Sequence, residues 1–302
     1  MEYINDIREL IGKTPLLKLN NIGIKAGVNL FAKMENHNPG GSVKDRIGLY
    51  MIEKAEKEGK LKPGFTIVEA TAGNTGIGIA YAALNKGYNM ICVVPEKFSV
   101  EKQAIMRALG VKIVNTPREK GMLGAVEKAR ELLASIKNSI SMEQFENEAN
   151  PKAHYETTGP EIFDALEGQI HYFVAGAGSG GTYTGVMRYF RERKEEIIGV
   201  LADPEGSTMG GGIEACYNIE GIGNNFIPKT MDMSLVDKVI KVRDDEAFAM
   251  VKLLALKEGL IVGSSSGAAI AAALKLAQTI DSGNIVTVLP DRGDRYFSKN
   301  IY

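Results

Sequence analysis

Residues Phe65–Pro95 read "FTIVEATAGNTGIGIAYAALNKGYNMICVVP". "FTIVEA" is a short apolar run of the kind that forms a strand buried on both faces. "GIGIAYAALNKG" carries helical apolar spacing, with Gly87 as its predicted close, and "NMICVVP" is a second buried strand. Outward from this stretch the alternation continues: "SVEKQAIMRALG" reads as a helix and "VKIVNT" as a strand. It resumes with "HYFVAG", "TYTGVMRYFRERK" and "EIIGVLAD", and again with "DEAFAMVKLLALKEG", "AAIAAALKLAQTI" and "NIVTVLP". Short continuous apolar strands between amphipathic helices predict an α/β fold built on mostly parallel sheet. No repeat, low-complexity segment or linker marks a domain boundary by composition.

The composition removes several function classes. A chain of 302 residues can bury a large core, as one big domain or two ordinary ones. Its 36 basic and 37 acidic residues are evenly mixed, for a net charge of −1. That leaves no basic stripe for nucleic acid and no polybasic membrane patch. No apolar run reaches bilayer length, and "MEYINDIREL" lacks a signal-peptide pattern, so a cytoplasmic protein is expected. Cys92 and Cys216 are too few and scattered for a disulfide framework, and His37, His154 and His171 have no ligand spacing, so no metal site is expected.

Three loops rich in Gly, Ser, Thr and Asn stand at element junctions: "EATAGNTGIG" (Glu69–Gly78), "AGAGSGGTYTG" (Ala175–Gly185) and "VGSSSGAA" (Val262–Ala269), the last joining two helical stretches. Any one of them could be a plain tight turn. Three together suit a site built from backbone N–H groups and short hydroxyls, which bind phosphate and carboxylate. In the second, Gly176, Gly178 and Gly181 also match the dinucleotide pattern G-x-G-x-x-G, with Asp203 near the place of a ribose-binding acid. An NAD-binding oxidoreductase is therefore a competing reading. It leaves the other two segments, and one lysine, without a purpose.

That lysine is Lys44, in "HNPGGSVKDRIGLYMIEKAEKEGK" (His37–Lys60). The stripe Ile47, Met51 and Ala55 predicts a helix opening just after the Gly-Gly-Ser turn, which puts Lys44 in the first helical turn. The helix dipole there disfavours the ammonium form, and a lysine with a lowered pKa suits Schiff-base chemistry. Most lysines in so charged a chain are simply solvated. Next to a phosphate-cradling loop, the combination points to a carbonyl cofactor with a phosphate handle, pyridoxal 5'-phosphate.

Across nearly its whole length the sequence resembles the cysteine synthase and cystathionine β-synthase family of pyridoxal-phosphate enzymes, of the tryptophan-synthase-β type. "NPGGSVKDRI" resembles the family's Schiff-base segment, "TAGNTG" its substrate-carboxylate loop, "GSGGTYTG" its phosphate loop and "GSSSGA" its pyridine-nitrogen segment. "LKPG", "PEKFSVEK", "ANPKAHYETT" and "EGIGNNFIP" are closest to the catalytic core of cystathionine β-synthase. The resemblance implies fold type II, with two open, mostly parallel twisted sheets flanked by helices. It implies a smaller domain over residues 42–150 and a larger one from 1–41 plus 151–302. Lys44 is implied to carry the cofactor and move the substrate α-proton. Gly178, Ser179, Gly180, Gly181 and Thr182 are implied to hold the phosphate, Asn74 the ring hydroxyl, and Ser265 the pyridine nitrogen. Thr71, Ala72, Asn74, Thr75 and Gln144 are implied to surround the substrate carboxylate. A homodimer acting on a small amino acid follows from the same likeness.

The chain also departs from the family. Ala70 and Ala72 stand where Pro and Ser are usual, and Asn224–Asn225 replace Ala-Gly, which predicts a bulkier, more polar pocket wall. Asp232 is a candidate catalytic base at the pocket mouth. The expected activity is β-elimination and β-replacement on a three-carbon amino acid, favoured as L-cysteine consumption that releases hydrogen sulfide while water or a thiol adds. Cysteine synthase activity on O-acetylserine and sulfide, cystathionine β-synthase activity, and a catalytically silent paralogue are the alternatives.

Overall fold

The computed structural model describes residues 3–71, 73–96 and 98–302. The strands, in chain order, are β1 (Leu16–Leu19), β2 (Val28–Lys33), β3 (Thr66–Ala70), β4 (Asn89–Pro95) and β5 (Lys112–Thr116). They continue with β6 (Ser139–Ile140), β7 (Tyr172–Gly176), β8 (Ile198–Pro204), β9 (Lys238–Val242) and β10 (Gly283–Val288). The helices are α1 (Lys44–Lys57), α2 (Asn74–Ala83), α3 (Val100–Ala108), α4 (Gly121–Ser135) and α5 (Ala149–Ala153). After them come α6 (Gly159–Ala165), α7 (Gly181–Arg193), α8 (Asp244–Glu258) and α9 (Ser264–Gln278). The chain divides into two compact units, one formed by the N-terminal residues through Ile11 with Asn38–Ala149, the other by Gly12–His37 with Asn150–Tyr302.

The first unit is built on a four-stranded sheet in the order β5-β4-β3-β6, parallel throughout. Its strands are apolar at successive positions because both faces are covered. Val68, Ile91 and Val93 pack against Ala125 and Ala129 of α4. On the other face Cys92 meets α2, where a Cβ on Gly76 would come within 2.9 Å of the Cys92 sulfur. Helices α1 and α2 touch backbone to backbone. A Cβ on Gly48 would collide with the Gly78 carbonyl, and one on Gly78 with the Lys44 carbonyl. Only glycine at both positions permits that approach.

The second unit has a six-stranded sheet ordered β1-β2-β10-β7-β8-β9. The β1–β2 pair is antiparallel and the other pairs are parallel. Alternate residues again serve opposite faces. Val174, Val200 and Ile285 join Ala268 and Ala272 of α9 on one face. Phe173, Leu201 and Val286 join Tyr183, Met187 and Phe190 of α7 on the other. Each such side chain stabilises the fold by roughly 1.5–3 kcal/mol relative to exposure.

Two expectations about element limits need correction. Helix α2 ends at Ala83, not at Gly87, because Leu84 turns extended and Asn85 takes the left-handed region with φ 58°. Gly87 closes the turn after it, and its carbonyl accepts from Gly64 N–H at 2.7 Å. "VGSSSGAA" is not a loop. Gly263 caps α9 and the serines are that helix's first turn.

Candidate active site

In the first unit, the turn before α1 fixes where the lysine falls. Gly41, at φ 76°, donates to the Asn38 carbonyl at 2.8 Å. Gly40 N–H donates to Asp45 Oδ2 at 2.5 Å. Asp45, buried in the first turn of α1, places a carboxylate where the helix dipole favours one. Lys44 is therefore the first residue of the helix. It is half-buried, its N–H donates to Ser42 Oγ at 3.3 Å, and its carbonyl lies against Gly78 of α2.

Through that contact α1 and α2 begin side by side. The loop into α2 follows the carboxyl end of β3, where ligands of open α/β sheets bind. Thr71 is buried, and its Oγ1 accepts from Gly73 N–H at 3.0 Å. Gly73, at φ 136°, rests on the aliphatic stem of Lys102, which is itself buried. Asn74 opens α2, and Thr75 Oγ1 donates to Gln144 Oε1 at 2.7 Å. Lys44, Thr71, Asn74, Thr75 and Gln144 thus all belong to this unit. Ala72 lies outside the described residues.

In the second unit the segment Gly178–Thr182 links β7 to α7, with Gly180 as the left-handed N-cap at φ 83°. Three successive carbonyls receive donors from one stretch of chain. Gly223 N–H reaches the Ala177 carbonyl at 2.8 Å, Asn224 Nδ2 the Gly178 carbonyl at 2.6 Å, and Thr230 Oγ1 the Ser179 carbonyl at 2.5 Å. This stretch straps the loop. The glycines cannot be replaced without displacing it: a Cβ on Gly178 would strike the Gly221 carbonyl, and one on Gly180 would strike Met231. From the start of α5 and the π-helical turn after it (His154–Thr158), Asn150 Nδ2 donates to Ser179 Oγ at 2.9 Å. From the same turn His154 Nε2 pairs with Thr182 Oγ1 at 3.1 Å. The other ring nitrogen of His154 pairs with Thr158 Oγ1 at 2.9 Å, which fixes the ring's orientation.

Ser265 is buried in the first turn of α9, beside Ser264, whose Oγ accepts from Glu220 N–H at 2.9 Å. Asp232 serves a local structural purpose. It caps the 3-10 turn Met233–Leu235, accepting from Ser234 Oγ at 2.6 Å and Ser234 N–H at 3.1 Å. Arg188 stands 3.4 Å from its second oxygen. The Ser234 hydroxyl first, and Arg188 after it, hold this carboxyl below its usual pKa.

Other expectations change with the geometry. Asp203 is a buried strut that accepts from Gly210 N–H at 3.0 Å and Lys241 Nζ at 2.5 Å. The ribose-binding role in the dinucleotide reading therefore loses its acid. Asn224 is not simply a polar wall, since its amide is committed to the Gly178 carbonyl, while Asn225 is exposed and pairs with Glu214 at 3.0 Å. Asn150, His154 and Thr230 were given no individual role by the sequence. Their only signal was membership of "ANPKAHYETT" and the stretch after "EGIGNNFIP".

Comparison with known proteins shows the family to which the chain belongs. The family described as "Pyridoxal-phosphate dependent enzyme" matches residues 7–291. The O-acetylserine dependent cystathionine beta-synthase of Bacillus subtilis (strain 168) is 52% identical, covering 100% of this chain and 99% of that protein. The cysteine synthase of Helicobacter pylori (strain ATCC 700392 / 26695) is 47% identical over 100% of both chains. A crystal structure of a hydrogen sulfide-producing enzyme from Fusobacterium nucleatum superposes with a TM-score of 0.94 at 38% identity, covering 98% of this chain and 100% of that one. The two mostly parallel sheets flanked by helices are those of pyridoxal-phosphate fold type II. The chain belongs to the pyridoxal-phosphate dependent enzymes, in the β-replacing group of cysteine synthases and cystathionine β-synthases, and its cofactor is pyridoxal 5'-phosphate.

Proposed function

We propose that this chain replaces the β-substituent of an O-acylated serine with a thiol, O-acetylserine being the favoured donor and a thiol amino acid the acceptor. The residues of the second unit fit the cofactor's phosphate. With the carbonyls of Ala177, Gly178 and Ser179 bonded to the strap, the loop's N–H groups and the opening turn of α7 are left for an anion. Ser179 and Thr182 add hydroxyls held by Asn150 and His154. When bound, pyridoxal phosphate supplies a carbonyl for imine formation and an electron sink for chemistry at Cα and Cβ.

Lys44 Nζ, at the first turn of α1, would hold the cofactor through its carbonyl carbon and would take the proton from the substrate Cα. Thr71, Ala72, Asn74, Thr75 and Gln144 bind the substrate carboxylate, and Asn74 also serves the ring hydroxyl. Ser265 Oγ would meet the pyridine nitrogen. A hydroxyl there, in place of a carboxylate, would supply that nitrogen with no proton, which would favour prompt loss of the β-leaving group.

The observation that carries the choice of a thiol over water is the state of Asp232. Water needs a base to attack, and this carboxylate is occupied by Ser234 and Arg188 and made a weaker base by them. Thiols ionise near enough to neutrality to attack unaided. The relative from Bacillus subtilis, by its name, uses O-acetylserine in the same replacement. A second reading, L-cysteine consumed with release of hydrogen sulfide, is supported by the Fusobacterium nucleatum neighbour. Purified holoenzyme is to be given O-acetyl-L-serine with homocysteine, O-acetyl-L-serine with sulfide, and L-cysteine alone. Fastest turnover with homocysteine, with the thioether product seen by mass spectrometry, supports the proposal. Faster sulfide release from L-cysteine, with no product from O-acetyl-L-serine, overturns it in favour of the second reading. The expected homodimer is checked by sedimentation of the same preparation.

A further inference from the structure

Glu69 is a buried carboxyl that the reaction does not use, and it sits two residues before Thr71. It is 4% exposed at the end of β3. Its side chain crosses to the segment after β6, where Oε1 accepts from the Met142 N–H and from Ser141 Oγ at 3.1 Å. Two residues beyond Met142, Gln144 takes the Thr75 hydroxyl at 2.7 Å. The loop from β3 into α2 is therefore joined twice to residues 141–144, once on each side of its turn.

We propose that Glu69 is a positioning residue for the substrate-carboxylate loop, and that a bound substrate carboxylate and an ionised Glu69 exclude one another, so that binding draws a proton onto Glu69. The proposal rests on the reading of Thr71–Thr75 as the carboxylate site. Among the described residues, the groups that face Glu69 offset little negative charge; from α3 the buried Lys102, whose stem lies on Gly73, is a cation beside this loop. From β4 its register partner is Cys92, a buried thiol lifted well above its usual pKa by burial first and by Glu69 after it. From the 141–144 segment Glu143 opposes ionisation. From α2, Gly76 abuts the Cys92 sulfur and brings no charge. From α1, Lys54 Nζ is engaged elsewhere, donating to Asn147 Oδ1 at 3.0 Å, and that amide's nitrogen donates to the Met142 carbonyl at 2.9 Å. Burial outweighs the two donors and pushes the Glu69 carboxyl up to about 7. The free site therefore divides between both charge states near neutrality. Two carboxylates close together in a region poor in water cannot both ionise cheaply.

The sign follows from linkage. If the ligand prefers protonated Glu69, its affinity falls as pH rises through the free-site pKa, by up to about tenfold between pH 6 and 8. Propionate is a suitable probe because it has a carboxylate and no amine to titrate. Its binding to holoenzyme is followed by the cofactor's absorbance, and proton uptake by calorimetry in two buffers of different ionisation enthalpy. Wild type is expected to weaken with pH and to take up protons. Glu69→Gln is expected to hold a nearly flat affinity with the uptake lost. A pH dependence that is the same in Glu69→Gln overturns the proposal, and so does wild type that takes up no proton, whether or not the variant folds. Thr75→Ala separates this from failure of the underlying reading. If propionate does not bind wild type, or binds it and Thr75→Ala equally well, the carboxylate-site reading falls and this proposal with it.

Discussion

The loop after β3 and the loop after β7 stand at the same kind of junction, from a parallel strand into a helix, yet they are held by opposite chemistry. The Gly178–Thr182 loop is fastened by neutral donors on three consecutive carbonyls and by side-chain amide and imidazole groups on its hydroxyls. The Thr71–Thr75 loop is fastened by one buried carboxyl and one hydroxyl–amide pair. The first is fastened chiefly through its backbone carbonyls by uncharged donors, which suits a phosphate that stays through every turnover. The second contains a group that titrates, which suits a ligand that comes and goes. Lys44 belongs with the second, because its helix is locked to α2 through Gly48 and Gly78.

The largest effect that this contrast predicts is at Lys44. Under the proposed mechanism Lys44→Ala removes the group that moves the proton, and loss of that role alone should slow turnover by about 10²–10⁴-fold. The phosphate loop in the other unit is untouched, so the variant should still bind cofactor, seen by the phosphorus resonance of bound phosphate. A variant that lost cofactor and rate in equal measure would mean that the grip and the chemistry are not divided as described.

Next in size is the cost of keeping Glu69 in the fold. The folded state holds a proton up to about pH 7 that an ordinary glutamate gives up near 4.5. Stability from this group is therefore highest below pH 4.5 and falls as pH rises across that window, by roughly 3 kcal/mol. Melting temperatures of wild type should decline from pH 5 to 7.5 more steeply than those of Glu69→Gln. Parallel curves would mean that Glu69 holds no extra proton across this window, and would erase the contrast.

What the sequence revealed of these two loops, and what it hid, has a physical reason. Lys44, the glycine loops and the strand–helix alternation are local features, set by turn chemistry and by the apolar spacing of consecutive residues. The fastenings are not local. Asn224 and Thr230 hold carbonyls 46 and 51 residues away, and Asn150 reaches Ser179 across 29 residues. Only tertiary structure brings such pairs together, and an asparagine gives no periodic signal of its partner. The edge strands β1 and β9 were equally silent, because each lies partly exposed and carries lysines among its apolar residues. The third glycine-serine segment misled for a related reason: small polar residues mark a helix's first turn as readily as a loop.

Asn224→Ala tests the strap with a smaller effect. It removes the donor to the Gly178 carbonyl and leaves the loop's own residues unchanged. A neutral hydrogen bond of this kind contributes about 0.5–1.5 kcal/mol. Reconstitution of the apoenzyme should then show cofactor affinity weaker by roughly two- to twelvefold. The KM for the amino acid, read at saturating cofactor, should stay within twofold of wild type. Asn225→Ala is the matched control, since its side chain is exposed and pairs with Glu214 rather than with the loop. If both variants bind cofactor as wild type does, the three carbonyls hold their positions without the strap, and the rigidity of this region has another source.

The smallest effect belongs to Asp232, and its smallness is the point. The residue borders the strap, and its N–H donates to Thr184 Oγ1 at 2.9 Å, but its carboxylate faces Ser234 and Arg188. Both partners lower its pKa, so the stability that they lend is fully present above the ordinary range for an aspartate. That stability is lost as pH falls through the depressed value. Asn at this position keeps an oxygen for the Ser234 cap and gives up the charge. Because the Arg188 side chain is 43% exposed and the contact is 3.4 Å, that ion pair contributes little, on the order of 0–1 kcal/mol. Asp232→Asn should therefore turn over O-acetyl-L-serine and a thiol at the wild-type rate within a factor of about two. Its melting temperature should drop by a degree or two at neutral pH, a difference that closes as the pH falls below the ordinary aspartate range. A slowing of tenfold or more, confined to the step in which the incoming group adds, would make Asp232 a base after all. The phosphate-loop unit would then take part in the chemistry as well as the grip.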